Sequence, residues 1–223
     1  MTTALVVLSA IMAIVVGWLV RRTLNVSPWQ AQTTREIAQG NGELMMPKVQ
    51  VGLVVFMTVA TSLFALLISA YYMRMITADW TNFALPRVLW LNTGVLVLAS
   101  VAMQMTRSAA RRGSLDGIRK GLVASGAFSI AFLGGQIWAW RQLNATGEFT
   151  PANPAYAFFI LLTAVHGIHL LGGMWVWGRT TFRVLRGVDL GKVRLSVELC
   201  TLYWHYLLLV WAALFIVLLN THR

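Results

Sequence analysis

Long apolar runs alternate along the chain with short polar connections. Six runs approach or reach span length: approximately Leu5–Val20, Val51–Met73, Val88–Met105, Gly121–Trp140, Ala155–Trp177 and Val197–Leu219. Crossing roughly 30 Å of hydrocarbon takes about 20 helical apolar residues. The pattern therefore predicts an all-α, polytopic transmembrane helix bundle of about six spans, with no soluble domain. Residues 1–50 supply one span and a polar connection, and residues 51–223 a five-helix membrane domain. The first run has no basic stretch before it and no small-residue cleavage site, and Arg21 and Arg22 follow it, so it reads as a retained span rather than a signal peptide. Of the connections, Ala78–Pro86 mixes Trp80 and Phe83 with one charge and suits the membrane interface, while Leu143–Pro154 is turn-rich and restarts a helix near Pro154.

Composition agrees with this reading and charge refines it. Apolar residues make up 58% of the chain and charged residues 11%, and the mean hydropathy is +0.69. The formal net charge of +11 raises the question of nucleic acid. The basic residues, however, cluster at the ends of apolar runs, which is the signature of membrane topology. The connections after the first, third and fifth runs carry 14 Lys and Arg, and the other side carries four, namely Arg74, Arg87, Arg141 and Arg223. That asymmetry places the first group in the cytoplasm and both termini on the outer face. Cys200 is the sole cysteine, which rules out an internal disulfide.

The candidate chemistry gathers in the last two runs. His166 and His169 sit three apart in TAVHGIHLLGG, and His205 lies in YWHYLLLVW of the next span. A titratable ring at membrane depth needs a partner, a water or a task. Three readings stand: packing through hydrogen bonds to neighbouring helices, metal or haem ligation, and donation to an anionic lipid headgroup. No acid falls in the middle of a run, which argues against a relay of membrane carboxylates. Glu198, at the start of the last run, reads as a helix-dipole partner. Gly167, Gly172 and Gly173 with Thr163 and Ala164 give the fifth run a small-residue surface, while Gln136, Asn92 and Thr93 read as interhelical hydrogen-bonding residues. Trp204 and Trp211 stand seven apart, on nearly one face, turned to lipid or to a partner. No phosphate-cradling loop, activated nucleophile, zinc-type cysteine cluster or carboxylate pair is present, so the isolated chain reads as non-enzymatic.

Two ordered motifs then suggest a family. FFILLTAVHGIHLLGG (Phe158–Gly173), a basic loop, and VELCTLYWHYLLLVWAALF (Val197–Phe215) resemble the last two helices of subunit III of the haem–copper cytochrome c and quinol oxidases, whose patterns run close to TGxHGxHxxxG and E…YWHFVDxVW. Gly52–Tyr71, Leu91–Ser100 and Leu133–Trp140 are similar to three further helices of that family, so the resemblance covers about Val51 to Leu219. It implies an accessory subunit without redox centres of its own, in the bacterial cytoplasmic (inner) membrane. Such a subunit packs on the catalytic subunit I and other oxidase subunits. Haem and copper belong to the partner, and phospholipid sits between the helices. By position, His166, His169, Arg183, Trp204 and His205 match family residues that contact lipid or neighbouring helices. Where many members carry intramembrane acids, this chain has Ala60, Ala139 and Leu208, so proton handling by those carboxylates has no counterpart here. The accessory subunit of a nitric-oxide reductase is the nearest alternative. A membrane b-type cytochrome, with haem between His166 or His169 and His205, is one of another class.

Overall fold

The computed structural model describes residues 48–81, 83–145, 153–187 and 190–221. The run at Leu5–Val20, the connection up to residue 47 and residues 146–152 lie outside the described residues. Five helices follow one another: α1 (Lys48–Arg74), α2 (Val88–Arg111), α3 (Leu115–Ala145), α4 (Pro154–Leu185) and α5 (Leu190–Thr221). Each is long and apolar enough to span a membrane, and they coincide with the last five runs of the hydropathy pattern. In hydrocarbon a backbone must satisfy its own hydrogen bonds, which an uninterrupted helix does.

The chain divides into two compact units, Met1–Ala60 and Thr61–Arg223. The described part of the first is the opening half of α1, where the Thr58 hydroxyl donates back to the Val54 carbonyl at 3.0 Å.

In the second unit the helix ends follow from local chemistry. Beyond α1, Arg74 donates to both Asp79 carboxylate oxygens, at 2.7 and 2.5 Å, and to the Thr77 hydroxyl. Those hydrogen bonds, led by Arg74, hold the Asp79 carboxyl well below the usual carboxylate range. Trp80 closes over Tyr71 edge to face, with ring centroids 5.0 Å apart. Pro86 accepts from Leu89 N–H at 3.1 Å as α2 begins. Helix α2 stops at Gly113, whose φ of 72° is open to glycine without strain. There the Ser114 and Gly113 amides return to the Ala109 and Ala110 carbonyls. Asn153 caps α4 by accepting from Ala155 N–H at 3.0 Å, with Pro154 in the first turn.

Four helix pairs pack closely: α2 with α3, α2 with α5, α4 with α5, and α3 with α4. Lipid is as apolar as leucine, so close backbone approach and interhelical hydrogen bonds, rather than burial from water, hold such pairs. The α2–α3 contact shows this. A Cβ added at Gly135 would collide with Asn92, one at Gly121 with Thr106, and one at Gly117 with Ala109. On α4, the same holds for Gly173 against Tyr203 of α5. Large aromatics contribute to the mainly aliphatic interior, with Trp204, Trp211, Phe132 and Phe159 fully buried.

Candidate functional site

Helices α2 and α5 are joined by polar contacts at successive levels. At one end, Glu198 Oε1 lies 3.3 Å from Arg111 Nε, 3.9 Å from Arg194 Nε and 4.0 Å from Arg107 Nε. One turn on, the Thr201 hydroxyl reaches the Met103 carbonyl at 3.2 Å. Next comes His205, with Nδ1 2.5 Å from Ser100 Oγ and Nε2 3.2 Å from Gln104 Oε1. The amide oxygen only accepts, so Nε2 carries the proton and Ser100 donates to Nδ1. Finally the Trp211 indole donates to Thr93 Oγ1 at 3.0 Å. Glu198 thus differs from the dipole partner expected of it. It stands two turns inside α5, where three arginines gathered from two helices hold it.

Buried and half-buried tryptophans of α3, α4 and α5 are interhelical donors as well. Trp204 donates to Ser129 Oγ at 3.0 Å, Trp177 to the Leu122 carbonyl at 3.1 Å, and Trp140 to Thr163 Oγ1 at 3.1 Å. Trp204 and Trp211 therefore face other helices of the same bundle, and lipid touches neither, since both are fully buried. Within a membrane, an indole is a large apolar body with one donor, so each such bond fixes both the depth and the rotation of a helix.

The two histidines of α4 part company. His166 is wholly buried, its ring 5.3 Å from Trp211, 5.8 Å from Phe132 and 6.4 Å from Phe64. His169 is half-buried, with Nδ1 2.8 Å from the Val165 carbonyl of its own helix and its ring 5.2 Å from Phe64. Its carbonyl accepts from the Tyr203 hydroxyl at 2.9 Å. His205, by contrast, has both ring nitrogens on α2, which leaves a bis-histidine haem without its α5 ligand. Among the described residues, no three His, Cys, Asp or Glu side chains gather as a metal site would need.

A separate feature lies on the outward face of α4 near its C-terminus. A groove of about 630 Å³ is lined by Trp175, Gly178, Arg179, Phe182, Arg183 and Arg186, among others. Trp175 and Phe182 are exposed, and the Arg186 guanidinium sits 4.1 Å over the Phe182 ring. Three cations and two aromatics within about three turns of helix form an amphipathic edge of the kind that meets headgroups. Of the positions where family acids are missing, Ala139 is fully buried on α3, Leu208 is half-buried on α5, and Ala60 ends the first unit.

The sequence pointed to several of these residues without their partners. Gln104 and Ser100 carried no signal of their own, and the three arginines around Glu198 come from two helices. The α4 groove was readable, since Arg179, Arg183 and Arg186 recur at helical spacing together with Trp175 and Phe182.

Fold and contacts define an integral membrane helix bundle whose polar side chains bind its helices to one another. Similarity gives the family. Residues 1–221 match cytochrome c oxidase subunit III. A Mycobacterium tuberculosis protein named "Probable cytochrome c oxidase subunit 3" is 30% identical over 126 residues, covering 56% of this chain and 62% of the relative. A Synechocystis protein named "Cytochrome c oxidase subunit 3" is 29% identical over 171 residues, covering 74% of this chain and 72% of the relative. A Nocardia farcinica protein named "Probable cytochrome c oxidase subunit 3" is 25% identical over 172 residues, covering 75% and 85%. The chain belongs to the cytochrome c oxidase subunit III family. The match spans 62% of the length of the mycobacterial relatives.

Proposed function

We propose that this chain is a non-catalytic accessory subunit of a haem–copper terminal oxidase in a bacterial cytoplasmic membrane. Residues 51–223 act as its membrane domain, and both termini lie on the outer face. The observation that carries the reading is the family match along residues 1–221. In it, the chain packs on the catalytic subunit, which holds the haems and copper, and stabilises that subunit through turnover. The internal contacts of the bundle support a scaffold role, because His205, Trp204 and Trp211 each tie two helices together.

The same reading includes structural phospholipid. The α4 groove supports it: Arg179, Arg183 and Arg186 offer cationic donors beside exposed Trp175 and Phe182, the chemistry of an anionic headgroup above an acyl chain. His169 stands three turns deeper on the same helix, level with the chain of such a lipid. The positions Ala60, Ala139 and Leu208 offer no carboxylate, so any help this subunit gives to proton uptake runs through other groups.

The test is to purify the complex with and without the chain. The reading expects unchanged haem spectra in the depleted complex and oxygen consumption that decays faster during turnover. Loss of haem along with the chain, in stoichiometric amount, would overturn it. For the lipid, native mass spectrometry of an Arg183→Ala, Arg186→Ala complex should show one fewer retained anionic phospholipid than the parent.

A further inference from the structure

One buried side chain on α3 and one on α4 carry polar atoms that have no partner among the described residues. Both ring nitrogens of His166 and Nε2 of Gln136 are enclosed, and no described residue bonds to them. A neutral imidazole has one donor and one acceptor, and an amide nitrogen has two donors. Buried polar atoms in folded proteins are almost always satisfied, so orphans of this kind ask for an occupant.

The register of the helices brings the two groups to one level. Gln136 lies one turn from Phe132, whose ring meets His166, and one turn from Trp140, whose indole bonds Thr163, three residues before His166. The neighbours are all committed elsewhere. The Gln136 carbonyl accepts from Asn92 Nδ2 at 3.4 Å. Trp211, against the His166 ring, donates its only proton to Thr93. Phe64 and Phe132 have nothing to offer. Three donors and one acceptor beside the rings of Phe132 and Trp211 suit a very small molecule that both donates and accepts.

We propose that His166 and Gln136 jointly hold a buried water molecule, which accepts from the Gln136 amide and exchanges a hydrogen bond with the His166 ring. It adds a second polar tie between α3 and α4, one helical turn along α3 from the Trp140–Thr163 hydrogen bond.

The experiment uses the full chain in the complex with which it co-purifies, in native lipid, with ¹⁵N-labelled histidine and glutamine side chains. Solid-state NMR then measures magnetisation transfer from water. The expected result is transfer from slowly exchanging water to both the His166 ring and the Gln136 amide. His166→Phe, which keeps the aromatic shape, assigns the ring signal by its loss. Gln136→Leu should reduce transfer to His166 several-fold, while the His205 signals, bonded to Ser100 and Gln104, remain. Three results would overturn the proposal: no water transfer to His166, transfer unchanged in Gln136→Leu, or direct coupling between Gln136 and His166 with no water. If a variant fails to assemble, the native spectrum decides by itself, since shared water at both groups is required there.

Discussion

The His205 ring joins two residues one turn apart on α2, with Nδ1 2.5 Å from Ser100 Oγ and Nε2 3.2 Å from Gln104 Oε1. Such a bridge sets the rotation of α5 against α2. An interhelical hydrogen bond in a membrane contributes about 0.6 to 2 kcal/mol, so His205→Ala should lower the stability of the assembled complex by about that amount per bond. Ser100→Ala combined with it should add little beyond the single change. Thermal inactivation of the two single variants and the double measures the coupling. In our account His205→Ala and His169→Leu weaken assembly and lipid retention more than electron transfer, so a fully assembled, lipid-replete variant whose haems no longer reduce contradicts it.

Close approach of α2 and α3 gives a paired prediction. Gly135→Ala places a methyl group into Asn92, whereas the neighbouring Gly134 faces open space. Overpacking of this kind costs about 1 to 3 kcal/mol, so Gly135→Ala should reduce assembled complex in the membrane while Gly134→Ala leaves it near the parent level. Quantitative blotting of both variants checks this, and equal loss in the two would remove the packing argument.

Glu198 binds three arginines, and its side chain is 28% exposed. Exposed ion pairs contribute about 0 to 1 kcal/mol each, and Glu198→Gln leaves three like charges facing one another. We expect a modest fall in stability that shrinks as ionic strength rises. A fall that is independent of salt would point instead to the packing of the side chain.

How far the sequence led can be seen in these residues. Hydrophobic runs located all five described helices, because membrane burial imposes length and composition directly. The start of α4 at Pro154 was visible in its cap chemistry. The ordered motifs around His166 and His205 showed the family. What the pattern could not carry was the partner of each side chain. His166 and His169, three apart, are turned about 60° from one another on a helix, enough to put one ring in the core and the other at its edge. Trp204 and Trp211 read as an outward stripe because seven-residue spacing marks a face without saying what covers it. Glu198 read as a helix start because the apolar run begins there, while α5 itself begins at Leu190, two turns earlier.

Restoring a family acid should fail in this background. Ala139 is fully buried on α3, so Ala139→Glu buries a carboxyl where a small residue fits. Burying an unpaired polar group costs several kcal/mol unless a partner is provided. Ala139→Glu should therefore lose most of the assembled complex, measured by the yield of co-purified partner, and wild-type yield would mean that a hydrogen-bonding partner for the acid persists there.

The most direct measurement is a mild-detergent pull-down of the tagged chain, with visible spectra and subunit identification on the same sample. The account predicts haem only together with a larger co-purifying subunit, with a spectrum that responds to oxygen. A spectrum that responds to nitric oxide turnover instead would assign the chain to a reductase, and a chain that emerges alone with stoichiometric haem would contradict the account.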